Sequence, residues 1–65
     1  MDKHAKARVE AAEREQYDKS YRENYERTRR QGQSEASARK SAEYHARINA
    51  DAARFHAEQR ERGEW

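Results

Sequence analysis

Three histidines, His4, His45 and His56, are the side chains of this sequence best suited to proton transfer or metal binding near neutral pH. A helical metal site needs ligands three or four residues apart on one face, and these histidines supply no HExxH, no Glu-x-x-His and no i,i+4 His pair. No metal and no cofactor are expected, and all three read as exposed or edge-of-interface groups. Ser20, Ser34, Ser37 and Ser41 have no His and Asp arranged to activate a hydroxyl. The chain also contains no Cys nucleophile, and its two glycines make no phosphate-binding loop. Ser34 reads as a helix cap, and Ser37 and Ser41 as small interface residues. No catalytic residue is assigned, and the chain is expected to be non-enzymatic.

The remaining chemistry is that of binding. Four tyrosines in 65 residues is a high density, and Tyr17, Tyr21 and Tyr25 recur every four residues. A rigid ring with a polar tip suits both a packing seam and a partner contact. Arg27, Arg29, Arg30, Arg39 and Lys40 cluster together: residues 26–40 carry a net +3, residues 1–25 sum to zero and residues 41–65 to −1. Arg29 and Arg30 fit the negative end of a helix dipole, whereas Arg39 and Lys40 lie where the next helix begins and have no such explanation. The cluster is expected to be either a solvated turn or a site for an acidic protein surface. Nucleic acid is the less favoured ligand, because acids are interleaved elsewhere and no recognition motif is present. Trp65 either folds back on a helix end or anchors a partner.

Helices must position these groups. Ala, Glu, Arg, Lys and Gln dominate, Pro is absent, and the β-branched residues are only Val9, Thr28 and Ile48. The break falls at Gln31-Gly32-Gln33-Ser34, with Gly32 suited to the left-handed position after a helix and Ser34 to the next cap. The fold expected is all-α: a helix over 3–31, a turn at 32–34 and a helix over 35–62, closed by Gly63, forming one antiparallel coiled-coil-like hairpin. Nine acid-to-base pairs four residues apart, such as Glu10/Arg14, Glu23/Arg27 and Glu35/Arg39, would add about 0.3 kcal/mol each to helix stability.

Apolar spacing suggests how the helices meet. Ser41, Tyr44, Ile48, Ala52, Phe55 and Gln59 share one face of the second helix, and Tyr17, Tyr21, Tyr25 and Thr28 one face of the first. Positions equidistant from the turn then pair Tyr17 with Ile48, Tyr21 with Tyr44 and Thr28 with Ser37. Val9/Phe55, Ala12/Ala52 and Ala5/Gln59 follow with a one-residue slip. The expected packing seam is therefore Tyr44, Ile48, Ala52, Phe55 and Val9. Ala42, Ala46, Asn49, Ala53 and Ala57 line the roughly opposite face, which is either merely solvated or a small-residue surface for another helix. Pairing of two hairpins there would give a homodimeric four-helix bundle.

Composition bounds the rest. Charged residues make up 43% of the chain against 32% hydrophobic, with a net charge of +2. The start of the sequence runs into charge rather than an apolar leader, no stretch approaches a membrane span, and Cys is absent, so a cytoplasmic chain that avoids membranes is expected. The function class that fits is a small protein-binding module that modulates or inhibits a larger protein. Short, charge-dense helical products of phages and mobile elements provide an analogy of class. A structural part of a helical oligomer and a nucleic-acid-associated protein are the alternatives.

Overall fold

The computed structural model describes residues 2–63, so the expectation for Trp65 lies outside the described residues. Two helices of equal length, α1 (Lys3–Arg30) and α2 (Glu35–Arg62), pack against each other as a hairpin. A 28-residue helix is about 42 Å long, so the longest dimension of the molecule, 44 Å, is one helix. Local chemistry sets each end. Asp2 caps α1, its Oδ1 accepting the Ala5 N–H at 2.7 Å, and Ser34 caps α2, its Oγ accepting the Ser37 N–H at 3.1 Å. α1 ends at Arg30, with Gln31 as its C-cap and not its last helical residue.

The turn is a Schellman motif. Gly32 adopts φ +89°, its N–H reaches the Arg29 carbonyl at 3.0 Å, and the Gln33 N–H reaches that of Thr28 at 3.2 Å. The Arg29 guanidinium adds a bond to the Gln33 carbonyl at 3.1 Å, tying the helix end across the bend. Gly63 ends α2 with φ +74°.

The seam is not the one expected from the apolar stripe. Ala38, Ala42, Ala46 and Ala50 are fully buried, and Ala57 nearly so. They face Ala5, Val9, Ser20, Asn24 and Thr28 of α1. Of the expected seam only Val9 is buried; Tyr44, Ile48 and Phe55 are 65%, 50% and 58% exposed, and Ala52 is exposed as well. The alanine face therefore belongs to the hairpin's own core. Ala42, Ala46 and Ala57 are buried there, Ala53 is half-buried, and Asn49 is bonded across the seam, so this face is not free for a second hairpin.

The physical reason lies on α1. Ser20, Asn24 and Thr28 form a polar wall that needs hydrogen-bond partners once buried. Ser41 Oγ donates to Asn24 Oδ1 at 2.8 Å, and Asn49 Nδ2 donates to Ser20 Oγ at 3.0 Å. Gln16 also donates to Ser20, and Thr28 Oγ1 donates to the Asn24 carbonyl at 2.8 Å. Among the described residues no buried side-chain polar atom lacks a partner. Large aromatic side chains against that wall would hold the axes apart. Alanine lets the backbones close and loses no rotamer entropy on burial.

Candidate protein-interaction site

Close approach of the helices lets two ion pairs form across the gap. Arg8 grips Glu61 bidentately, Nε to Oε2 at 2.8 Å and Nη2 to Oε1 at 2.6 Å, near the end opposite the turn. That hydrogen bond, together with the charge of the Arg8 guanidinium, holds the Glu61 carboxyl below its ordinary pKa, and Glu61 raises that of Arg8. Arg54 Nη1 reaches Glu13 at 3.1 Å. Of the nine expected pairs along the helices only Glu35/Arg39 closes, at 3.6 Å, while Arg47–Asp51 and Arg54–Glu58 form in the reverse order at 3.9 Å.

The tyrosines line one flank of α1. Tyr17, Tyr21 and Tyr25 are half-buried, and their rings stack in sequence with centroids 6.2 Å apart and planes inclined by 24° and 7°. The spacing is that of four residues of helix rise, about 6 Å. The Arg47 guanidinium lies 5.4 Å from the Tyr17 ring centroid, a cation–π contact that fixes one end of the ladder to α2. Thus Tyr17 meets Arg47 and not Ile48, and Tyr21 stacks on its own helix neighbours; the expected pairing of tyrosines with the α2 stripe does not form. One further four-residue step from Tyr25 leads to Arg29, and Tyr25, Glu26, Arg29 and Arg30 line a shallow groove at the turn end.

The five turn cations divide by their partners. Arg29 and Arg30 bend back onto the carbonyls of Gln33 and Glu26, as the helix dipole favours, and Arg39 lies near Glu35. Arg27 and Lys40 are exposed, and among the described residues neither has an ion-pair partner. Ala36, Arg39, Lys40 and Glu43 line a second shallow groove on α2. No family model matches this chain, and comparisons with curated proteins and with solved structures find no match. Among the described residues no cluster of His, Asp and Glu could hold a metal ion, and no helix is long and apolar enough to cross a membrane.

Large apolar side chains occupy the outer side of α2. Ile48 lies two residues from Ala46 and so points about 160° away from the seam. Tyr44 and Phe55 share its side, and the rings of His45 and His56 stand edge-on to them at 5.5 and 5.8 Å. The cross-helix partners Arg8, Glu61, Glu13 and Arg54 were not read from the sequence, because no local spacing relates residues so far apart in the chain. Ser20, Asn24 and Thr28 did leave a signal: their four-residue steps match those of Ala38, Ala42, Ala46 and Ala50.

Proposed function

We propose that the chain is a small non-enzymatic protein-binding module that modulates or inhibits a larger protein, in the manner of short helical products of phages and mobile elements. The observation that carries this reading is the preformed tyrosine ladder running toward the basic turn. Rings already stacked and half-buried lose little freedom when a partner covers them, and aromatic and arginine side chains are the usual anchors of protein interfaces. Arg27, Arg39 and Lys40 would steer an acidic patch toward Tyr17, Tyr21 and Tyr25. A protein partner is favoured over nucleic acid because each turn-end groove includes an acid, Glu26 in one and Glu43 in the other, which breaks a phosphate track.

The reading includes self-association. The hairpin's core is alanine with a single valine, a thin seam for so short a chain. Pairing of two copies into a four-helix homodimer would cover the large side chains that this seam leaves outside.

The test is comparative capture from cell extract, with wild type, Tyr21→Ala and Arg39→Gln/Lys40→Gln as baits. A protein held by wild type should be held about tenfold or more weakly by Tyr21→Ala. The double variant should associate more slowly, chiefly at low salt. Equal binding of that protein by all three baits would remove the ladder and the turn from the site.

A further inference from the structure

We infer that Tyr44, Ile48 and Phe55 seat a second copy of this chain, which lays its α2 antiparallel on the first and builds a flat four-helix layer, not a square bundle. This rests on the self-association proposed above and assigns its face and geometry.

The charges beside the stripe point to a second copy. Along its edge nearest the tyrosine ladder Lys40 and Arg47 precede Asp51 and Glu58, while Arg54, between the two acids, turns to Glu13 of α1. Lys40 and Arg47 stand as far before residue 49 as Glu58 and Asp51 stand after it, so these four charges reverse sign about that centre. An antiparallel copy sets Lys40 against the second copy's Glu58 and Arg47 against its Asp51, and the same again by symmetry. A parallel two-fold copy would instead set this charged edge against the uncharged edge of Ser41 and Gln59 and would form no such pairs. The Arg47–Asp51 and Arg54–Glu58 contacts within the chain, both at 3.9 Å, lie near the limit of an ion pair and leave these groups free to share a partner.

The apolar groups follow the same centre. Tyr44 and Phe55 lie nearly equally far on either side of it, so each ring meets the other's counterpart, with Ile48 and Ala52 between them. That centre also falls close to the middle of α2, so two antiparallel copies overlap along almost the whole helix. On the other edge Ser41 and Gln59 are uncharged, and at the helix end Arg62 comes opposite the second copy's Ala36, so no like pair opposes the docking.

The position of the stripe sets the shape. Because Ile48 points almost directly away from Ala46, the order across the assembly is α1, α2, α2 of the second copy and its α1, in one layer. The contact of Arg47 with Tyr17 shows that the charged edge and the tyrosine ladder lie on one side of the hairpin. A two-fold axis normal to the layer then puts both ladders on the same face, offering a larger partner two identical sites side by side.

Sedimentation equilibrium on the full chain, with circular dichroism as the check on folding, tests this. Wild type is expected to reach twice the 7.8 kDa chain mass with rising concentration. Ile48→Asp should stay at the single-chain mass with its helicity kept. Lys40→Glu should dimerise about fivefold more weakly, and Lys40→Glu/Glu58→Lys should recover the loss. X-ray scattering of the dimer should show a layer about four helix diameters wide, roughly 40 Å. If Ile48→Asp dimerises like wild type, self-association stands but this face is wrong. A wild type that remains single at every concentration would overturn both. Failure of the charge swap to restore dimerisation, or a square cross-section, would overturn the antiparallel layer.

Discussion

At the scale of single residues the hairpin depends on a few positions whose demands are specific. Gly32 is required by its backbone alone, since a Cβ built there meets nothing within 4 Å while φ is +89°. Gly32→Ala is therefore expected to cost about 1–2 kcal/mol from the left-handed conformation, read as a melting temperature lower by several degrees. Glu61 makes the other residue-scale prediction. Its carboxyl sits below its ordinary value because Arg8 bonds to the charged form, so the contribution is complete above the unfolded value, about 4.3. It is lost as the pH falls through the lower folded value. Acid titration of thermal stability should show this loss in wild type and a smaller one in Glu61→Gln. Equal acid limbs would mean that the pair is too well solvated to matter.

At the scale of elements, two faces of α2 compete for one partner helix. The aromatic face is the more hydrophobic, and apolar area alone would choose it. The alanine face prevails because α1 presents Ser20 and Asn24, which Asn49 and Ser41 satisfy from across the seam, while Thr28 bonds within its own helix. An unsatisfied buried polar group costs about 1–3 kcal/mol, so two such groups offset the gain from one or two large side chains. The prediction is a contrast between near neighbours. Ala46→Leu pushes a larger side chain into a seam with no space and should destabilise by about 1–3 kcal/mol or more. Ile48→Asp, which the apolar stripe alone would expect to unfold the hairpin, should leave its helicity nearly unchanged. Chemical denaturation followed by circular dichroism at low protein concentration separates the two, and the opposite ranking would put the aromatic stripe back in the core.

At the scale of the whole molecule, a long, thin hairpin with an alanine core has almost no interior in which to hide function. Its large side chains are therefore divided between two outer surfaces, the tyrosine ladder on a flank of α1 and the stripe on the back of α2. The ladder is partly ordered by the fold through stacking and Arg47, which suits a recognition surface. The stripe is more exposed, and its flanking charges, Lys40 and Arg47 before its centre and Asp51 and Glu58 after it, suit an antiparallel copy of itself. In the proposed assembly, dimerisation and partner binding would use different faces and need not compete.

The sequence by itself determined the helices and the bend, though not which ion pairs along them close. Helix propensity, the Ser34 cap, the left-handed Gly32 and the basic last turn of α1 act within a few residues, so the two helices and the bend were legible without coordinates. The tyrosine spacing and the charge cluster were legible for the same reason. Only the tertiary structure decided which face of α2 turns inward, because that choice depends on what lies opposite, from residues as far apart in the chain as Ser20 and Asn49 or Arg8 and Glu61. A stripe read along one helix measures hydrophobicity, whereas burial also requires that the facing polar groups find hydrogen-bond partners and that the backbones close. Here small residues met both conditions, and the larger apolar side chains of α2 were left outside the seam.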